Sequence, residues 1–239
     1  NAYAQLFNSN ESTLLENPAT YNFAAGTGYM IRFPNTFLNP PVDGATPTQL
    51  FSSQFTGVPN NGQVSVMTSN GVSTVHMVSN PYPSTIDVAA FRAANNNTPV
   101  YFWTHATQAA GGNNYASITG AGAVAASSNG VVPNGTIQVG QGFLVRNDAA
   151  AASIVFDNGM RTGNNAGQFF RSADSERSRI WLNLAKGDAP GNQLMVAYMG
   201  EASLEADNGL EAKLIQSGNN ISTMIGSERY MIQARPGFT

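Results

Sequence analysis

Between Ser79 and Asp87 the chain reads Ser-Asn-Pro-Tyr-Pro-Ser-Thr-Ile-Asp, and two prolines flanking one tyrosine leave the backbone little freedom there. Each proline fixes its own φ, lacks an N–H, and drives the preceding residue into extended geometry. It is a stiff corner. Asn80 can bond its own neighbouring backbone, Pro81 and Pro83 set the direction, and Tyr82 offers a large ring to pack. Ser84 stands three residues ahead of Asp87, a spacing that predicts a helix start before Val88-Ala89-Ala90-Phe91. One short helix is expected over residues 86–94.

The surroundings of this corner decide the fold class. Charged residues make up 10% of the 239, and only two lysines occur, Lys186 and Lys213. An average soluble domain carries roughly 25% charge, much of it on helix surfaces. Here Asn, Ser, Thr, Gln and 24 glycines replace it, which is the surface of a multi-stranded protein. The class read from the sequence is all-β. The expected organisation is a sandwich or jelly-roll-like domain with one short helix over residues 1–165. A smaller β unit follows over residues 166–239, and its four expected strands make half a sandwich.

Strands are predicted where apolar residues alternate or cluster. Tyr29, Ile31 and Phe33 form one such face behind the Gly26–Gly28 corner; Phe51 to Phe55, Val64 to Met67 and Val72 to Val78 follow. Val100-Tyr101-Phe102-Trp103 reads as a central strand. Residues 109–135, rich in Gly, Ala, Ser and Asn, read as a surface excursion with one strand at Tyr115 to Thr119. Thr136 to Val139 and Gly142 to Val145 flank Gly140-Gln141, and Ala152 to Phe156 comes next. Arg179 to Leu184 and Gln193 to Met199 form a hairpin across a turn at 186–191, with Asp188 and Pro190 as turn formers. Leu214-Ile215 and Tyr230 to Ile232 complete the set.

Charge and composition exclude several functions. A net charge of −3 and eleven scattered Lys and Arg supply no basic stripe for phosphates, so no nucleic-acid partner is expected. No apolar run approaches the roughly 18 residues of a membrane span; the stretch Ala121 to Ala126 is short and small, and membrane insertion is not expected. With no cysteine there is no disulfide, thiolate metal site or thiol nucleophile. Abundant Asn and Thr with little charge suit an extracellular location. The start Asn1-Ala2-Tyr3-Ala4 does not read as a signal peptide, so an exported protein of this sequence would be a processed or excised piece.

Reactive constellations are few. His76 and His105 fall in predicted strands without ligand spacing, and no nucleophile elbow occurs. Asp87 is a helix-start residue; Asp148 and Asp157 are isolated. The acidic loop of Glu201, Glu205, Asp207 and Glu211 contains the turn Asp207-Asn208-Gly209, and calcium is the one cofactor its oxygens suggest, though the spacing matches no calcium loop. No catalytic residue and no metal ligand is assigned. Tyr29, Phe33, Tyr101, Trp103, Phe143 and Trp181 have core spacing. Tyr115, with Asn113 and Asn114 beside it, is the candidate exposed ring of a ligand-binding loop. Sequons at Asn10, Asn96, Asn134 and Asn220 matter only in a eukaryotic source.

Taken in order, Gly28 to Phe33, the Asn80-Pro81-Tyr82-Pro83 corner and Val100 to Thr104 build a recognisable series. Val139-Gly140-Gln141-Gly142-Phe143, Phe156 to Arg161, Arg179 to Leu184 and Val196 to Ala202 extend it. This series resembles the β-rich region preceding the sorting domain in large surface proteins of the type IX secretion pathway. The resemblance spans roughly residues 20–235. It implies a secreted or outer-surface, non-catalytic, adhesin-like structural module in which Asn80, Pro81, Tyr82, Pro83, Asp87, Gly140 and Gly142 are structural. The alternatives are a carbohydrate-binding or spacer module of a secreted hydrolase and a subunit of a self-assembling surface fibre. Expected partners are other domains of the same long chain, surface glycans, or copies of itself.

Overall fold

A computed structural model describes residues 3–8, 11–14, 22–32, 56–68, 74–104, 115–127, 130–147, 153–163, 178–187, 189–215 and 220–237. The fold is all-β and sandwich-like, with a single short α-helix among the described residues. In chain order the first elements are β1 (Tyr3–Asn8), β2 (Glu11–Leu14), β3 (Met30–Arg32), β4 (Val64–Met67), β5 (Thr74–Ser79), β6 (Thr85–Asp87) and α1 (Val88–Ala94). Next come β7 (Val100–Trp103), β8 (Tyr115–Ile118), β9 (Ala123–Val124), β10 (Thr136–Ile137), β11 (Gly142–Asn147), β12 (Ser153–Phe156) and β13 (Arg161–Thr162). The last are β14 (Ser178–Lys186), β15 (Ala189–Met199), β16 (Ala212–Lys213), β17 (Thr223–Ile225) and β18 (Glu228–Pro236). The chain divides into two compact units, one of residues 1–91 with 137–165, the other of residues 92–136 with 166–239.

In the first unit β1 pairs antiparallel with both β2 and β3. β5 pairs antiparallel with β11 from Gly142 opposite Ser79 to Asn147 opposite Thr74, and β12 pairs with β4. Along β5, His76 and Val78 are buried while Val75 and Met77 are partly covered, the period of two that a strand imposes. The core gathers around three rings. Phe91 meets Phe143 edge-to-face at 5.1 Å and Phe156 at 5.3 Å, and Phe143 lies 6.4 Å from Phe156. Such pairs add about 0.5–1.5 kcal/mol each beyond the area they bury.

α1 begins differently from the expected box. The Ala90 N–H donates to Asp87 Oδ1 at 2.8 Å, which makes Asp87 the N-cap itself. Ser84 lies upstream of the intervening strand β6, and its hydroxyl accepts from Arg161 Nε at 2.9 Å. Asp87→Ala should therefore lower stability by about 1 kcal/mol in a urea titration, while Asp87→Asn should lose little.

In the second unit β7, β8 and β9 form an antiparallel meander. β14 and β15 form a hairpin whose closing pair is Lys186 and Ala189, with Gly187 at φ 61; Asp188 lies outside the described residues. The expected turn over 186–191 is thus too long, and Pro190 is a strand residue opposite Ala185. Proline is tolerated there because the second neighbour of β15, the parallel strand β18, joins only from Met195 onward. A bulge falls between Asn183 and Ala185, where a Cβ on Gly191 would lie 2.6 Å from the Leu184 carbonyl oxygen.

β18 is the hub of this unit's sheet, pairing with β15, β16 and β17. Tyr230 to Ala234 are buried without interruption, the signature of a strand covered on both faces. β16 covers Ala212–Lys213 and the expected strand residues Leu214 and Ile215 follow it. The expected surface excursion is also corrected in its described part. Ala116, Ala121, Val124, Ala125 and Ala126 are at most 2% exposed, a layer of small residues. A Cβ on Gly122 would stand 3.0 Å from Met195 Cε, and the backbone there, at φ 152, is one that favours glycine.

Candidate functional site

The corner read first from the sequence is tied together by one amide. Asn80 is 4% exposed, and its Nδ2 donates to Ser84 O at 2.7 Å and Gln138 O at 3.1 Å. Its Oδ1 accepts the Tyr82 N–H at 3.0 Å, and its own N–H donates to Gln141 O at 3.1 Å. One short side chain thus closes its own turn and fixes the loop 138–141 to it. That loop bends at Gly140, φ 67, the left-handed position a type II turn reserves for glycine. Tyr82 is buried; its hydroxyl donates to Gly62 O at 2.7 Å and the Arg161 guanidinium lies 5.5 Å from its ring centroid. Burial holds the Tyr82 hydroxyl above the usual tyrosine range, the Asp157 charge adds to this, and Arg161 opposes it.

Beside the corner opens a pocket of about 400 Å³. One wall is the segment from Phe23 to Tyr29; the other includes Asn60, Pro81, Gly140 and Gly142. The first wall is pinned to β5: Gly28 N donates to Met77 O, Ser79 N to Gly26 O, and the Ser79 hydroxyl to Thr27 O. A Cβ on Gly28 would meet the Met77 backbone at 2.8 Å, so only glycine permits that approach. Phe23 and Tyr29 sit edge-to-face at 4.7 Å, and the Tyr29 hydroxyl accepts the Ala24 N–H at 2.8 Å. On the second wall Asn60 Nδ2 donates to Pro81 O at 3.0 Å. None of the lining side chains among the described residues is charged.

The residues expected to bind or to pack fall as follows. Asn113 and Asn114 lie outside the described residues, as do Phe33, His105 and Asp148. Tyr115 is half-buried in β8 and meets Trp103 edge-to-face at 5.1 Å; burial raises its hydroxyl above the usual range. Tyr101 and Phe143 are buried as expected. Trp103 and Trp181 are not core residues: they are 49% and 44% exposed. Trp103 ends β7 after three buried residues. Trp181 lies on β14, an edge strand on which Ile180, Trp181 and Leu182 are all about half exposed, and its Nε1 donates to Ala123 O at 3.3 Å. Alternation marks a buried face only where a strand has neighbours on a core, and β14 has one partner among the described residues. His76 is buried in β5, which holds its ring below the usual histidine range. Pro83 is exposed.

In the acidic loop, Asp207 accepts from the Ser203 N–H at 2.6 Å and the Ser203 hydroxyl at 2.8 Å. Glu211 is 5% exposed and accepts the Asp207 N–H at 2.7 Å and the Ala234 N–H at 3.3 Å. Burial pushes its carboxyl up to about 7, against the backbone bonds that favour the charged form. Glu201 and Glu205 are exposed. Among the described residues no three His, Asp or Glu side chains stand together as metal ligands do.

One group that reading the sequence did not single out is Arg92. It is 7% exposed, and its guanidinium donates to Thr98 O at 2.9 Å, Asn97 O at 2.8 Å and Gly209 O at 2.7 Å. Burial lowers it to about 10. Asn96 and Asn97, at φ 53 and 55, turn the chain back after α1 so that these carbonyls face the guanidinium. The run Asn95-Asn96-Asn97 was the available signal.

The chain matches, over residues 2–239, the family described as Domain of unknown function (DUF8693). No curated protein and no solved structure matches it. No described helix is long and apolar enough to cross a membrane.

Proposed function

The chain belongs to the DUF8693 family, whose description names no activity, and on the architecture above we propose that it is a non-catalytic structural and adhesion module of a secreted or cell-surface bacterial protein. The observation that carries this reading is where its polar side chains point. Asn80, Arg92, Asp207 and Glu211 each bond backbone groups of their own turn or of a segment beside it. Catalytic groups are held toward a substrate; these are held toward the chain, and they stiffen the loops that a display module presents. The resemblance to the region preceding type IX sorting domains supports export by such a pathway and a place beside other domains of a long surface protein. Antibody labelling of intact source cells tests it. Surface signal that disappears in a strain lacking the pathway is expected; signal only after lysis, or turnover of any substrate by the purified chain, would overturn it.

A second reading, self-assembly into a surface fibre, is favoured by β14 alone. Edge strands are normally blunted with charge, and this one, outermost in its sheet among the described residues, leaves Ile180, Trp181 and Leu182 about half exposed. If copies add through this edge, the mass measured by light scattering rises with concentration, and Ile180→Lys returns it to the monomer. A monomer at every concentration removes this reading.

A further inference from the structure

We propose that the pocket beside the Asn80–Pro81 corner is a binding site for a neutral sugar unit of a glycan. At about 400 Å³ it falls within the range of small-molecule sites. Its lining has the two kinds of surface a pyranose ring needs. The C–H face of such a ring is apolar and weakly positive, and it rests on the negative face of an aromatic ring. Phe23 is 48% exposed at the pocket and is oriented by its edge-to-face contact with Tyr29. The hydroxyls around the ring need neutral donors and acceptors. Asn60 uses one amide hydrogen on Pro81 O, which leaves its second amide hydrogen and its carbonyl, and the Thr27 hydroxyl also lines the space.

Charge narrows the ligand further. The described lining carries no cation to pair with a sialic or uronic carboxylate or a phosphate, and no anion to hold an amine. A neutral hexose or N-acetylhexosamine suits it. A proline-rich peptide would also use aromatic rings, but such grooves rely on successive rings along an extended strip, and here one ring pair stands against a wall of amides and glycines. The walls are already built: the bonds from Ser79 to Gly26 and Thr27, and from Asn80 to Gln141, hold both sides before any ligand arrives. This inference deepens the adhesion reading and rests on it; the two fail separately, because release of reducing ends from a bound glycan would defeat only the non-catalytic claim.

The test uses the full 239-residue chain on an array of neutral and acidic glycans, followed by titration calorimetry on the best neutral oligosaccharide. Wild type is expected to bind neutral glycans. Phe23→Ala should weaken binding about tenfold by removing the stacking ring. Gly142→Leu should abolish it: Gly142 lines the pocket, a Cβ there meets nothing nearer than Val78 O at 3.8 Å, and the added side chain is expected to take up the ligand's space. Trp103→Ala and Tyr115→Ala should leave binding unchanged, and thermal unfolding of every variant confirms the fold. Absence of neutral glycan binding, a preference for acidic glycans or proline-rich peptides, or loss of binding only in the Trp103 and Tyr115 variants would each overturn the proposal.

Discussion

Replacing Arg92 with methionine is expected to lower the free energy of unfolding by about 3–5 kcal/mol. Methionine keeps most of the aliphatic stem, so the loss isolates the guanidinium. Three carbonyls, on Asn97, Thr98 and Gly209, then lose a charge-assisted donor. The Gly209 oxygen keeps its bond from the Gly120 N–H at 2.8 Å, which moderates the loss there. Lysine retains the charge but presents it from a single nitrogen and cannot span the same three acceptors, so Arg92→Lys should recover less than half of the loss. Guanidinium titrations of the three proteins check this. A shift of less than about 1 kcal/mol for the methionine variant would show that the three bonds contribute little beyond what water supplies.

The second large effect is one of pH. Glu211 titrates near 7 in the folded chain because burial disfavours its anion. An unfolded glutamate releases its proton near 4.5, so between pH 4.5 and 7 the native state holds a proton that the unfolded chain has lost. Stability from this group is therefore fully present below 4.5, falls as pH rises to 7, and is level above that. Linkage at about 1.4 kcal/mol per pH unit puts the total near ~3 kcal/mol. His76 acts in the opposite sense: buried neutral, it makes the unfolded chain the better proton acceptor below pH 6.5 and lowers stability toward acid. The wild-type curve mixes both. Glu211→Gln removes one component, and the difference between the two stability curves should slope downward from pH 4.5 to 7. A flat difference would mean that the bonds from Asp207 and Ala234 keep the carboxylate charged throughout.

These two groups mark where reading along the sequence stops. The strands at Val64–Met67 and Val100–Trp103 were found to the residue, because β-branched and aromatic runs announce themselves locally. The short helix and the hairpin of β14 and β15 were also found, through a capping residue and a pair of apolar runs. The pocket was not, since its walls come from residues near 23–29, 58–60, 79–81 and 140–142, which only the folded chain brings together. Arg92 and Glu211 likewise take their meaning from partners up to 117 and 23 residues away. The layer from Ala116 to Ala126 was misread for a different reason. Small side chains give little hydrophobic signal, yet they pack closest of all, and composition alone cannot separate a glycine-rich loop from a tight interior.

The position of β18 in chain order has a consequence for how the protein is made. β14 and β15 can join as a local hairpin soon after synthesis, but the strand that completes their sheet lies about thirty residues further along, after β16 and β17. A chain emerging in order from a ribosome therefore carries Met195 to Met199 without their partner strand until Ile232 to Pro236 have followed. Such a pairing of distant segments delays closure. Until that last strand is made, the hairpin lacks the neighbour that completes its sheet.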